Sequence, residues 1–309
     1  MIIYILKRFY QSIFVLLGVV TIVFLLLHIS GDPTNLLLPL DATALERAAF
    51  KQQMGFNDPL IVQYGRFVLH ILQGNLGFSY RYGTPALTEV LKRFPATLEL
   101  TGAGLAIATC IAIPVGVIAA VKRGSLVDSL AMTGALLGQA TPVHWLGLML
   151  ILLFSVRWQW LPSGGRSGFE SLLMPAFTLA VFSMARIARL SRSGMLDVLE
   201  QDYIRTARAT GIVESNIVFK YGLRNAAIPL VTVIGLEFGV LLGGAVITET
   251  VFAWPGVGRL AVESIFARDY PVVQATVLLL ASIFVLINIL IDVLYSFLDP
   301  RVREGGVKQ

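Results

Sequence analysis

Charge is scarce in this chain, and cysteine is scarcer. Of its 309 residues only 14% are charged and a single one is cysteine, where an ordinary soluble domain is roughly a quarter charged. The lone Cys110 sits inside an apolar run, which excludes a disulfide framework and a cysteine metal site. His28, His70 and His144 are far apart and on different elements, so no metal-ligand spacing exists. No G-x-x-x-x-G-K-[ST] run occurs, nor any Gly-Lys pair, so the chain supplies no phosphate-cradling loop of its own. The net charge of +5 suggests nucleic acid at first sight. That reading fails because the basic residues fall between apolar runs and form no single stripe.

What the chain has in excess is apolar length. A helix crossing a bilayer needs about 20 mostly apolar residues, since a core of about 30 Å is crossed at about 1.5 Å per residue. Six stretches qualify: Phe9–Ile29, Thr97–Val121, Ser129–Val156, Ser171–Ala185, Ala226–Thr248 and Pro271–Phe297. The fourth is the weakest, uncharged only until Arg186 and Arg189, which can snorkel toward headgroups. The first is a retained anchor rather than a cleaved signal peptide: its uncharged run exceeds a signal h-region, and no alanine precedes Ala42 to make an A-x-A site. The fold class is therefore all-α integral membrane. Residues 1–29 form an N-terminal span, 30–95 a long outer segment, 96–298 a five-helix core with an inner loop at 186–227, and 299–309 a tail. Fourteen Lys and Arg fall on the segments assigned to the inside and four on the two short outer loops, which places both termini in the cytoplasm. Trp158, Trp160 and Trp254 then lie at the outer boundary, as an aromatic belt does.

Two connections are too long to be turns. In the outer one, Leu60–Leu72 carries Leu60, Tyr64, Phe67 or Val68, and Ile71 at helical spacing. It reads equally as a helix lying on the membrane or the other spans, and as a docking platform. The inner one centres on Asp202–Gly211, where Ala207, Ala209 and Gly211 offer little bulk and Gly211 is suited to end a helix in the left-handed conformation. A further helical stretch follows at Ser215–Leu223. A solvated hairpin is the bland reading, but an inner insertion of this length argues for a partner. Glu99 and Glu249 lie near the outer interface. Glu237 and Asp292 lie deeper, bonding to neighbouring helices or, for Glu237, touching cargo or a subunit interface. Gly235, Gly239 and Gly243 follow one another at small-xxx-small spacing, and Gly244 adds to them, as a tight helix interface or pore wall requires. His144 at membrane depth keeps a membrane enzyme in view, although no catalytic constellation accompanies it. A self-contained secondary transporter would show inverted repeats, and none is found.

At the inner loop the sequence resembles the permeases of ATP-binding-cassette importers, in particular the first-permease type of the dipeptide, oligopeptide and nickel branch. Those permeases carry E-A-A-x-x-x-G, nine residues, then I-x-L-P. Here Arg205-Thr206-Ala207 stands at E-A-A, Gly211 keeps its spacing, and Tyr221-Gly222-Leu223-Arg224 replaces the end. The peptide branch's wording is similar to Asp202–Gly211 followed by Leu223-Arg224-Asn225-Ala226 and Ile228-Pro229. Further matches are Gly31-Asp32-Pro33, Gly55–Leu60, Gly74–Ser79, Ala96–Leu100, Glu249–Gly258 and Arg268–Pro271. Their order and spacing together carry the resemblance.

The resemblance implies a set of partners: a second related permease, two ATPase subunits inside, and a substrate-binding protein outside. It implies that Tyr203, Arg205, Thr206, Ala207, Arg208, Ala209 and Gly211 form a helix coupling to an ATPase. Trp254, Pro255, Gly256, Asp269 and Tyr270 are then candidates for docking the binding protein, and Glu237, Gly235, Gly239 and Gly243 for the pore or subunit interface. ATP and Mg would be bound by the partner ATPases, and no cofactor by this chain. The cargo is a short peptide or, on the same machine, nickel or its chelate, glutathione or an opine. The expected location is the bacterial inner membrane.

Overall fold

The computed structural model describes residues 2–29, 43–53 and 57–298. Its helices are α1 Ile2–Ile29, α2 Ala44–Gln53, α3 Leu60–Leu72, α4 Ala86–Val121, α5 Leu126–Ala140, α6 Val143–Leu150, α7 Phe169–Leu199, α8 Asp202–Ala209, α9 Arg224–Val251, α10 Val257–Phe266 and α11 Tyr270–Leu298. A π-helical segment, Ile151–Arg157, prolongs α6, and another, Ile217–Leu223, leads into α9. Gly31-Asp32-Pro33, Gly55-Phe56 and the 299–309 tail lie outside the described residues.

Among the described residues five stretches are long and apolar enough to cross a bilayer: Arg8–Leu26, Ala86–Val121, Phe169–Leu199, Pro229–Val251 and Tyr270–Leu294. The third expected span is present but broken. α5 and the α6 segment meet at 99°, and they make a sixth crossing only as a bent pair. The cause is local. Pro142 has no N–H to donate and its ring disfavours the helical region at the residue before it, so Thr141 is extended at φ −75°, ψ 122°. Two other boundaries moved. The second span begins at Ala86 and carries Pro95 inside it. The fourth does not stop at Ala185 but runs on to Leu199, taking Arg186, Arg189 and Arg192 with it.

The centre of the bundle is the α4–α7 pair. Gly104, Ala108, Ala112, Gly116 and Ala120 recur every fourth residue of α4, so they share one face, and all are buried. A Cβ added at Gly116 would lie 2.5 Å from the Ala188 carbonyl oxygen and 2.6 Å from Ser191 Cβ. Backbones this close are what small residues permit in a membrane, where dispersion and hydrogen bonds replace a hydrophobic drive. Ser191 Oγ uses the proximity to donate to the Ile113 carbonyl at 3.2 Å. α9 approaches α11 in the same way, with Gly235 against Ile291 and Gly239 against the Phe284 ring.

The amphipathic stretch at Leu60–Leu72 is a helix with those bounds, and it lies against α1. Tyr64 and Thr21 share a hydrogen bond of 2.8 Å between their hydroxyls, and the Phe24 ring sits 5.3 Å from Tyr64 and 5.7 Å from Phe67. Leu60, Ile61, Leu69 and Leu72 stay exposed.

Candidate functional site

At one end of the bundle α8 forms a short outrigger. Ile204 and Ala207 face inward and pack with Ile217, and Leu199, Ile212 and Tyr221 complete that small core. Tyr203, Arg205, Thr206, Arg208 and Ala209 are exposed. Ala207 thus departs from the expectation that its small side chain faces a partner, because helical periodicity turns it onto its own chain. The helix ends as the sequence suggests. Gly211 has φ +80°, its N–H donates to the Arg208 carbonyl at 3.0 Å, and the Ile212 N–H donates to that of Ala207 at 3.2 Å. That is the paired bonding of a Schellman end, and it needs a left-handed residue at this point. Arg208 clamps the following turn, its Nη2 and Nε donating to Glu214 at 2.8 and 3.2 Å. Those bonds hold the Glu214 carboxyl below its ordinary range and raise Arg208. Asn225 Nδ2 ties α8 to the start of α9 by donating to the Tyr203 hydroxyl at 3.1 Å and the Tyr221 carbonyl at 2.8 Å.

The opposite end gathers the loops around Trp254. The indole Nε1 donates to the Ala96 carbonyl at 2.8 Å, and the whole side chain is buried. Asp269, also fully buried, accepts from the Ser79 hydroxyl and from the N–H groups of Tyr80 at 3.1 Å and Arg81 at 3.3 Å. It thereby ties loop 79–82 to the start of α11. Burial, and then the Asp269 charge, push the Tyr80 phenol upward. Gly256 packs directly on the Glu249 carboxyl, with no room for a Cβ. Of the five docking candidates, then, Trp254, Gly256 and Asp269 are interior and shape the surface without forming it; Pro255 is exposed and Tyr270 half-buried. Each interior group closes a bond to a segment well over a hundred residues away, or fills a space, that local sequence does not announce.

Glu249, expected near the outer interface, is completely buried within the protein. Thr97 Oγ1 donates to it at 2.6 Å and the Arg259 N–H at 2.9 Å, while the Val257 N–H donates to Thr97 Oγ1 at 2.8 Å. The pair caps the first turn of α10, where unsatisfied N–H groups and the helix dipole favour a carboxylate. Outside it, Glu263 bridges Arg259 at 2.8 Å and Arg81 at 3.5 Å. Glu99 pairs with Arg166 at 2.6 Å on the exposed rim.

Between the two ends Glu237 bonds to a neighbouring helix. It is 1% exposed, accepts from Ser183 Oγ at 2.7 Å, and forms an ion pair with Arg186 of α7. Gly235 and Gly239 are spent on α11, whereas Gly243 and Gly244 have open space where a Cβ would go. Asp292 pairs with Arg8 of α1 at 3.0 Å. The roles of Ser79, Thr97 and Ser183 went unseen in the sequence. Ser79 and Thr97 stood inside matched stretches, but nothing marked their partners.

Residues 112–304 match the family described as "Binding-protein-dependent transport system inner membrane component", and residues 1–101 match its counterpart "Binding-prot-dependent transport system membrane comp, N-term". The chain belongs to this transport family. It is 44% identical over 301 residues to the glutathione transport system permease protein GsiC of Salmonella paratyphi A (strain ATCC 9150 / SARB42), covering 97% of this chain and 98% of that one. To the dipeptide transport system permease protein DppB of Escherichia coli (strain K12) it is 39% identical over 334 residues, with the same two shares, 97% and 98%. Among solved structures, one of the MetNI methionine ABC transporter in an inward-facing conformation shares the fold, with a TM-score of 0.58 at 24% identity over 68% of this chain and 96% of that one. The chain is therefore a permease subunit of an ATP-binding-cassette importer and a multi-pass inner-membrane protein. A self-contained secondary transporter or membrane enzyme is set aside.

Proposed function

We propose that this permease, paired with a second related one, forms the path by which short peptides, glutathione among them, enter the cell after delivery by an extracytoplasmic binding protein. The relatives' cargos support the class, since glutathione is itself a tripeptide and the DppB system is named for dipeptides. Two ATPase subunits would hold the ATP and Mg and meet α8 from the cytoplasm. The observation that carries this reading is α8 itself. It is a short helix beyond the bundle, locked at both ends, with its polar side turned out. Closure of the ATPases would move α8, and through the tight α4–α7 contact would favour one packing of the bundle over another. Such coupling works only if the ATPases bind the two packings with different affinity.

The test is uptake by proteoliposomes carrying the whole complex. Peptide should accumulate only with ATP and loaded binding protein, and the purified chain alone should hydrolyse no ATP. Robust hydrolysis by the chain alone, or labelling of Arg205 from the outer side of the membrane, would overturn the reading.

A further inference from the structure

Arg186 is a charged residue within a candidate span, about 25 Å along α7 from Phe169 at about 1.5 Å per residue. Its side chain is 44% exposed, while its partner Glu237 is 1% exposed. Only one guanidinium nitrogen, Nη1, meets the carboxylate. Among the described residues Nε and Nη2 have no partner.

Snorkelling to the inner headgroups does not account for it. Helical side chains lean toward the N-terminus of their helix, which for α7 is the Trp254 end. The guanidinium indeed lies over the Phe182 ring, 5.5 Å from its centroid and one turn nearer that end. A half-exposed guanidinium aimed into the membrane is costly against lipid, so its open side belongs to a wet space. α5 packs on another face of α7, meeting it through Gly138 at Val181 and Asp128 at Arg192, five and six positions from Arg186.

We infer that Arg186, held by Glu237 and Ser183, presents Nε and Nη2 to the translocation path and receives the carboxylate of a peptide in transit. The free edge of a guanidinium matches both oxygens of a carboxylate. Glu237 fixes the arginine and leaves it one net donor face. This assignment rests on the importer reading above.

The experiment uses the whole complex in proteoliposomes, with one peptide in two forms, free and C-terminally amidated, both first shown to saturate the binding protein. Arg186→Gln alone strands a buried carboxylate, so Arg186→Gln with Glu237→Gln serves as the neutral pair, and Arg186→Lys keeps the charge without the fork. Co-purification of the partner subunits verifies assembly. The expected result is that the neutral pair slows uptake of the free peptide about tenfold or more, the size of a lost charged hydrogen bond, leaves the amidated peptide within about twofold of its own wild-type rate, and that lysine falls between. Equal losses for both peptides, as a contact with the second permease would give, or no loss for either, would overturn the inference. Failure of the wild-type complex to import either peptide would instead remove the importer reading beneath it.

Discussion

Replacing Gly211 tests whether α8 depends on its left-handed terminus. Its φ of +80° is a conformation that costs an L-residue about 1–2 kcal/mol, with asparagine penalised least and β-branched residues most. Nothing within the chain lies within 4 Å of where a Cβ would sit, so strain alone orders the series Gly, Asn, Ala, Val. The Schellman bonds from Gly211 and Ile212 cannot form if the residue leaves that region, and α8 has only Ile204 and Ala207 buried to hold it. A loss of about 1–2 kcal/mol shifts the fraction of correctly seated α8 by roughly 5–30-fold. ATP-dependent uptake should therefore fall in the order Gly211→Asn, Gly211→Ala, Gly211→Val, with asparagine closest to wild type. A clash with an ATPase predicts another order, since asparagine is larger than alanine and carries a polar head. If Gly211→Asn transports worse than Gly211→Ala, the terminus matters through bulk at a docking surface and the strain argument is wrong.

Further expectations concern other parts of the bundle. Gly116→Leu should prevent assembly, because even a Cβ meets backbone at 2.5 Å, whereas Gly102→Leu, with open space around it, should assemble normally by size-exclusion chromatography in detergent. Glu249→Ala strands the Thr97 hydroxyl and the Arg259 N–H in a buried place, costing about 2–4 kcal/mol; the thermal midpoint of the purified complex should drop by several degrees, and an unchanged midpoint would refute the capping role. The Arg208–Glu214 clamp is an exposed pair worth a few tenths of a kcal/mol at most once solvent screening is allowed for. Because the Glu214 carboxyl is depressed in the folded chain, its contribution is present above the ordinary carboxylate pKa and is lost as pH falls through the lowered value. Amide exchange at Ile212, corrected for its intrinsic rate, should accelerate on acidification in the wild type and show no such step in Glu214→Gln.

Much of this architecture is legible in the residues, and the exceptions share a cause. Leu60–Leu72 and the Gly211 terminus were readable because both are written within a few positions, as apolar spacing in one case and a required φ in the other. The five long spans among the described residues are readable from apolar length. The third expected span was read as continuous because hydropathy persists across Thr141-Pro142 even though proline breaks the backbone there. The fourth was cut short at Arg186 because a charge next to an apolar run looks like a boundary. What extends it is Glu237, an anion on another helix that no local window reveals. Trp254, Glu249 and Asp269 follow the same logic. Their partners at Ala96, Thr97 and Ser79 are distant in sequence, so loop-like contexts concealed residues of the interior. The small-residue face of α4 is periodic and was within reach of a four-residue repeat search.

The five small residues that seat α4 on α7 have a mechanical consequence. With carbonyl and side-chain atoms interlocked where Gly116 meets Ala188 and Ser191, the two helices have no room to slide or roll against each other, and they behave as one stiff strut. α8 hangs from one end of that strut and Trp254 is bolted to the other through Ala96. A tug at the lower end thus arrives at the upper end without slack, and any hinge the molecule uses must sit elsewhere, as at the kinked joint before Val143.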